Sequence, residues 1–193
     1  MIALIGNRPA IQVGKHQVHD YDTAWLAHAL KRAAIAADRD DFPFLDEICK
    51  GVEEYLESKC SLSLLPLQTL YERMRKMLEK IGCHLIAERL EPIAPPVTLS
   101  LPHAARRAGN GFELAFFECL RSELNELRGV GAEEIRFTGL KESVLLLRGQ
   151  EKWDKKCDQL LTEVRNFLWN QHRDYHEVAR PLRLQVEGER IDE

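Results

Sequence analysis

The sequence predicts a helix-rich α+β fold, in which an N-terminal β-hairpin covers a four-helix unit and a β-α-α-β-β-α unit follows. Three observations predict this fold. Residues 21–38 form an amphipathic helical segment, Gly14-Lys15 separates two strand-like runs, and the stretch EPIAPP at 91–96 interrupts regular structure halfway along the chain. A chain of 193 residues is long enough for one or two domains. We therefore expect a first domain over 1–92, a proline-rich linker at 93–96, a small α+β domain over 97–171 and a polar tail over 172–193.

The chain begins with short strands. Residues 2–5 are an apolar run that ends at the turn signal Gly6-Asn7, and the runs 10–13 and 16–19 flank Gly14-Lys15. A two-residue link with glycine first is typical of a tight hairpin. The start of the chain therefore predicts two or three short strands.

Four helices follow the hairpin. In the first, an apolar stripe recurs at helical spacing, with Asp22 placed to accept hydrogen bonds from the first turn: Trp25, Leu26, Ala29, Leu30 and Ala33. Pro43 and Pro66 begin two further amphipathic segments, because proline suits the first position of a helix. Gly82 is placed to end the third helix, and residues 83–90 predict a short fourth one.

The second half alternates strands and helices. Residues 97–101, 134–138 and 143–147 are strand-like, and 182–186 is at most an edge strand. A short helix from Pro102 ends at Gly109-Asn110-Gly111, and long helices are predicted at 112–128 and from Trp153 to Trp169.

The net charge, the length of the apolar runs and the cysteine content argue against several classes of protein. The net charge of −4 is spread evenly, with 12 Lys+Arg against 14 Asp+Glu in residues 1–95 and 15 against 17 in the rest. No basic field is available for phosphates, so we expect no nucleic-acid binding. No apolar run is long enough to span a membrane and no secretory signal opens the chain, so we expect a cytoplasmic protein. The five cysteines are scattered without a CxxC pair, which indicates free thiols.

Two segments are candidate anion sites. On the hairpin, Lys15, His16 and His19 offer positive or titratable groups near Asp20 and Asp22, and a divalent metal or an ordinary solvated hairpin are the alternatives. In the second half, backbone N–H groups form an anion nest if Gly109, Asn110 and Gly111 turn before a helix, with Arg106 and Arg107 just upstream. A helix–helix corner is the alternative for that loop.

The first half resembles the ATP-cone family, a regulatory module of ribonucleotide reductases and of their transcriptional repressor. The resemblance rests on Val18-His19-Asp20-Tyr21-Asp22 and on dispersed helical positions, namely Leu26, Ala29-Leu30, Ala33, Glu47-Ile48, Val52, Leu56, Leu70, Met74, Leu78, Gly82 and Ala87. It implies a β-cover over four helices and binding of ATP or dATP as an effector. The basic pair that contacts phosphate in the family is not matched, since only Lys15 is near its place and Trp25 stands where the family has another basic residue.

These observations leave three functional hypotheses open. The first is a non-catalytic regulatory protein that senses a nucleotide or another small anion between the hairpin and the first helix. The second is an assembly module without a small ligand, for example a homodimer or a protein partner bound through the aromatic helices, where Phe117 and Trp169 lie at the stripe edges. The third is an enzyme with a site between the two halves, around His103, Arg106 and Arg107. The chain contains no GxSxG or HExxH motif, so the prediction leans away from an enzyme.

Overall fold

The described residues form eight α-helices and two small sheets, which confirms the helix-rich α+β class. The structure is a computed structural model that describes residues 8–176, 182–187 and 189–190. The chain divides into two compact units, Met1–Pro95 and Pro96–Glu193, and the division falls inside the proline-rich stretch. The strand predicted at 2–5 lies outside the described residues.

A three-stranded sheet opens the first unit. Strands β1 (Ala10–Val13) and β2 (His16–Val18) form the predicted antiparallel hairpin, and Gly14 supplies the positive φ of +58° that its turn requires. A third strand, β3 (Leu64–Pro66), pairs in parallel with β1. This strand was not predicted, because three residues that end in proline give no alternating pattern.

The four helices of the first unit confirm the predicted ones. Helix α1 begins one residue after Thr23, and the Asp22 carboxylate accepts the Ala24 N–H at 3.0 Å, as expected of a capping aspartate. The last turn of the second helix is a π-helical turn over Tyr55–Lys59. The helices are α1 (Ala24–Ala36), α2 (Leu45–Glu54), α3 (Leu67–Lys80) and α4 (His84–Arg89).

Aromatic side chains pack the hairpin onto the helices. The Trp25 ring lies 6.4 Å from Tyr21 and 6.3 Å from Tyr71. Its Nε1 donates to the Asp22 carbonyl at 2.7 Å, and the Tyr21 hydroxyl donates to the Pro9 carbonyl at 2.7 Å. Burial raises the pKa of Tyr21 above its ordinary value, while the positive charge of Arg8 opposes that shift.

The proline-rich stretch belongs to the first unit over much of its length. Ile93 and Ala94 are buried, and the Tyr71 hydroxyl both accepts the Ile93 N–H at 3.0 Å and donates to the Ile93 carbonyl at 2.9 Å. Arg75 donates to the Leu90 carbonyl at 2.7 Å. The segment expected as a linker is therefore fixed to α3, since a buried polar backbone group needs a hydrogen-bond partner.

The second unit is a four-stranded sheet with helices between its strands. The strands lie in sequence order, the first three in parallel and the last antiparallel. The elements are β4 (Val97–Ser100), α5 (Leu101–Ala108), α6 (Glu113–Gly129), β5 (Glu134–Thr138), α7 (Leu140–Arg148), α8 (Lys155–His176), β6 (Arg183–Val186) and β7 (Glu189–Arg190).

The strand predicted at 143–147 is wrong, because these residues belong to helix α7. The run Ser143-Val-Leu-Leu-Leu is apolar without a clear period, so it fits a strand or a buried helix equally well. Leu140, Val144 and Leu147 are buried at helical spacing, and Gly139 precedes the helix with a φ of +73°. The unit is therefore β-α-α-β-α-α-β-β.

The polar tail predicted at 172–193 is also wrong for most of its described residues. Residues 172–176 continue α8, and β6 lies between β5 and β7 instead of at an edge. Leu182, Leu184 and Val186 are buried. The alternation of polar and apolar residues in this segment is typical of a strand with one buried face.

One face of the parallel sheet is exposed. Along β5, Ile135 and Phe137 are fully buried, whereas Arg136 and Thr138 are exposed, and β4 alternates in the same way. Parallel sheets are usually covered on both faces. Within the described residues no helix has the length and apolar character that a bilayer span requires.

Candidate functional site

The candidate site residues of the hairpin are neighbours of residues in the hydrophobic core. Lys15 and His19 are exposed, and His16 is half-buried in β2. Ile11 and Val13 of β1 are fully buried, and the buried Trp25 packs against Tyr21 and Tyr71. A ligand between the hairpin and the first helix would have to displace these side chains from their packing, which is costly in a dense core.

The loop 109–111 is a helix–helix corner, and its backbone donors have protein acceptors. Gly109 donates its N–H to Ala105, Gly111 to Leu147 and Phe112 to Gly109, at 3.0, 2.8 and 3.3 Å. An anion nest needs such N–H groups to point at the ligand. Three of the N–H groups at this corner are therefore already bonded to protein, and the anion site at Gly109, Asn110 and Gly111 stays a prediction.

The two arginines before that loop form ion pairs with carboxylates. Arg106 contacts Glu142 at 2.6 Å, and Arg107 contacts the buried Glu123 at 3.0 Å. Sequence reasoning did not identify these acidic partners, because both pairs join residues far apart in the chain. Both guanidinium groups are about half exposed, so each is paired with a carboxylate within the second unit at its surface, and their role in anion binding stays a prediction.

The remaining sequence candidates do not assemble a catalytic or metal centre. His103 is exposed, and its backbone N–H donates to the Ser100 hydroxyl as part of the start of α5. Within the described ranges no three His, Cys, Asp or Glu side chains lie close enough to hold a metal ion. The five cysteines are free thiols.

The structure instead reveals a cleft of about 430 Å³ in the first unit, which we call the aromatic cleft. It lies between the α1–α2 loop and the turn that joins α3 to α4. Its lining residues are Arg39, Phe42, Pro43, Phe44, Gly82, Cys83, His84, Leu85 and Ile86. Its volume is within the range of about 300–1,000 Å³ typical of small-molecule sites.

Two helix C-termini form the cleft. At the end of α1, Asp38 adopts a φ of +53°, and Arg39 donates its N–H to Ala34 at 2.9 Å. At the end of α3, Gly82 adopts a φ of +83°, and Cys83 donates its N–H to Leu78 at 2.8 Å. Both are Schellman turns, which satisfy terminal carbonyls and reverse the chain sharply.

Exposed apolar groups line the aromatic cleft. The Phe42 and Phe44 rings meet edge to face, with centroids 6.0 Å apart. Phe44 and Leu85 are each 57% exposed, although both are large and apolar. Pro43 lies between the two phenylalanines, where its fixed φ stiffens the loop. Exposed apolar surface around a concavity is typical of a binding site.

The charge of the lining is positive. Among the residues that the structure describes, Arg39 is the only Lys or Arg that lines the cleft, and no Asp or Glu lines it. Within the same residues the Arg39 guanidinium has no ion-pair or hydrogen-bond partner. Cys83 and His84 add a thiol and an imidazole. The cleft can therefore enclose an apolar group and pair one negative charge.

Sequence reasoning did not find this site. The segment Phe42-Pro43-Phe44 suggested only a helix start, although two aromatic residues around a proline in an acidic loop are a usable signal. Gly82 was expected only to end α3. Comparison of the chain with protein-family models, with curated proteins and with solved structures found no match.

Proposed function

We propose that the chain is a non-catalytic, ligand-sensing regulatory protein whose effector binds in the aromatic cleft. The single observation that supports this function most directly is the edge-to-face pair of Phe42 and the exposed Phe44 beside Arg39 in a cleft of about 430 Å³. Among the described residues Arg39 has no ion-pair or hydrogen-bond partner. Groups that are apolar and exposed, next to a cation without a partner, gain free energy when a ligand covers them.

The site differs from the one that an ATP-cone-like module implies. The resemblance to that family supports a regulatory role and the layout of hairpin and helices. The burial of Ile11, Val13 and Trp25 argues for a different ligand position, because these side chains are packed in the core of the first unit. ATP or dATP at Lys15 is therefore the competing proposal for the effector and its site.

Thermal unfolding with a fragment panel tests the proposal. The panel contains neutral, anionic and cationic aromatic compounds together with ATP and dATP. A ligand at a hundredfold excess over its Kd should stabilise the folded protein by about 2.7 kcal/mol. We expect hits whose effect is lost in Phe44→Ala and kept in Phe112→Ala, because Phe112 is a similarly exposed phenylalanine (64%) in the second unit.

The opposite result would relocate the site. Stabilisation by ATP or dATP that is lost in Lys15→Ala but kept in Phe44→Ala would place the effector on the hairpin and refute the cleft. Regulation itself is measured by sedimentation of the protein with and without a hit, since an effector acts by shifting an equilibrium between states.

A second function is favoured by exposed apolar residues in the second unit. Phe112 is 64% and Leu114 is 83% exposed at the start of α6, whereas Phe117 packs against Phe116 and Phe167 with ring centroids 5.6 and 5.0 Å away. We propose this pair, more than the predicted Phe117 and Trp169, as the contact of a homodimer or a protein partner. A Leu114→Glu variant that sediments like the unchanged chain at every concentration would refute the homodimer.

A further inference from the structure

We infer that the ligand of the aromatic cleft is a singly charged amphipathic acid, whose carboxylate pairs with Arg39 and whose aromatic or branched aliphatic body lies against Phe42, Phe44 and Leu85. This inference rests on the proposed function, because it names the ligand class of the same cleft. It follows from the charge, the helix ends and the apolar surface around the site.

The lining selects against cations. Arg39 lines the cleft, and within the described part of the chain no carboxylate does. A ligand ammonium would meet like charge there, whereas a carboxylate can accept two parallel N–H bonds from the guanidinium. Since Arg39 has no ion-pair partner among the described residues, no existing ion pair has to be broken when the acid binds.

The surroundings select against polyanions. Asp38, Asp40 and Asp41 are exposed in the same loop as Arg39, although none of them lines the cleft. These three carboxylates lie within a few residues of the single cation, so each further negative charge on a ligand adds repulsion that one arginine cannot offset. A nucleoside triphosphate is therefore a poor ligand, whereas one carboxylate matches the one guanidinium.

The C-terminal ends of two helices also disfavour a polyanionic ligand. Helices α1 and α3 both end at the cleft, and a helix C-terminus has a partial negative charge. Turn N–H groups already bond four carbonyls in the last turns of the two helices, which are those of Ala34, Ile35, Leu78 and Glu79. The partial negative charge of the two helix ends favours a cation such as Arg39 at this position. A ligand with one negative charge can bind there because Arg39 pairs with that charge.

The apolar surface requires a ligand body without further polar groups. Five lining residues are apolar, namely Phe42, Pro43, Phe44, Leu85 and Ile86. Hydroxyl or amide groups placed against them would lose hydration without gaining a partner. A phenyl or branched alkyl group instead covers surface that is exposed in the free protein.

A matched set of three compounds tests the inference on the full chain. The compounds 3-phenylpropanoate, 3-phenylpropanamide and 3-phenylpropylamine share one body and differ in charge. Each is titrated into ¹⁵N-labelled protein, and the amide signals of residues 42, 44 and 82–86 are followed. We expect the acid to bind about tenfold more tightly than the amide, since hydrogen bonds to charged groups are the stronger ones, and the amine to bind most weakly.

Two variants separate the charge from the cleft. Arg39→Gln should reduce the affinity for the acid to that for the amide, while Arg89→Gln, which removes an exposed arginine outside the lining, should change neither. Equal binding of acid and amide, with both weakened by Phe44→Ala, would overturn the ligand class and leave the cleft as the site. Amide signals at 42, 44 and 82–86 that respond to none of the three compounds would overturn both the ligand class and the site. Tighter binding of ATP than of the acid would overturn the preference for a singly charged ligand.

Discussion

Tyr71 is the residue that attaches the end of the first unit to its core. It is fully buried in α3, and its hydroxyl bonds both backbone groups of Ile93. The helical pattern predicted that Tyr71 faces inward, yet its partner 22 residues away could not be predicted, because a hydroxyl is compatible with many acceptors.

We expect Tyr71→Phe to lower the free energy of unfolding by about 1–3 kcal/mol. The substitution leaves the Ile93 N–H and carbonyl buried without the hydroxyl, and an unsatisfied buried group costs about that much. Urea unfolding followed by circular dichroism measures the change. The matched control is Tyr55→Phe, which removes a hydroxyl that accepts an exposed hydrogen bond from Arg73. Equal losses in the two variants would contradict the role assigned to Tyr71.

Among the individual residues, those of the candidate site were the hardest to predict from the sequence. Lys15, His16 and His19 were identified from residue type, and Arg39 was not, because one arginine among Asp38, Asp40 and Asp41 is the usual composition of a solvated loop. Its importance depends on the distant turn at Gly82, which only the fold brings next to it.

Helices and strands whose apolar residues recur at a clear spacing were predicted well. The hairpin, the four helices of the first unit and the helices α5, α6 and α8 follow from amphipathic spacing, proline starts and glycine ends. The errors lie where period is weak. Helix α7 is a short apolar run, and β3 and β6 are strands of three and four residues whose pairing comes from distant segments.

Replacement by alanine should change the stability of the protein in opposite directions at two glycines. Gly51 lies inside α2 with no atom within 4 Å of an added Cβ, so Gly51→Ala should stabilise the protein by about 0.5–1 kcal/mol through helix propensity. Gly139 has a φ of +73°, and an added Cβ would lie 2.5 Å from the Pro102 ring. Gly139→Ala should therefore cost more than about 2 kcal/mol, since left-handed strain and overpacking add. Thermal unfolding of both variants gives the signs, and destabilisation by Gly51→Ala would contradict the argument from helix propensity.

At the scale of the whole molecule, the division into two units was predicted from the proline-rich stretch, and the division after Pro95 falls inside the predicted linker at 93–96. Ile93 and Ala94 of that linker are buried in the first unit, which the sequence did not predict. Strand order in the second unit could not be predicted, because parallel pairing joins residues nearly 40 positions apart and leaves no local signal.

We expect a fragment of residues 1–95 to fold alone, because this unit has its own core and its end is bonded to Tyr71. Circular dichroism and dispersed amide signals measure folding. A fragment of residues 1–89 is the comparison, and it should be clearly less stable because it lacks Leu90, Ile93 and Ala94 from the core. An unfolded 1–95 fragment would contradict independent folding.

The sequence order of the strands in the second unit has a consequence for synthesis on the ribosome. Strands β5 and β6 each pair with the strand made just before them, so that sheet can grow as the chain emerges. The first sheet is different, because β3 is synthesised after α1 and α2, whereas its partner β1 is synthesised before them. Ala10 can therefore pair with Leu64 only after both helices have left the exit tunnel. The β1 edge of the hairpin is therefore open during translation, and that edge is most exposed to mispairing before residue 66 appears.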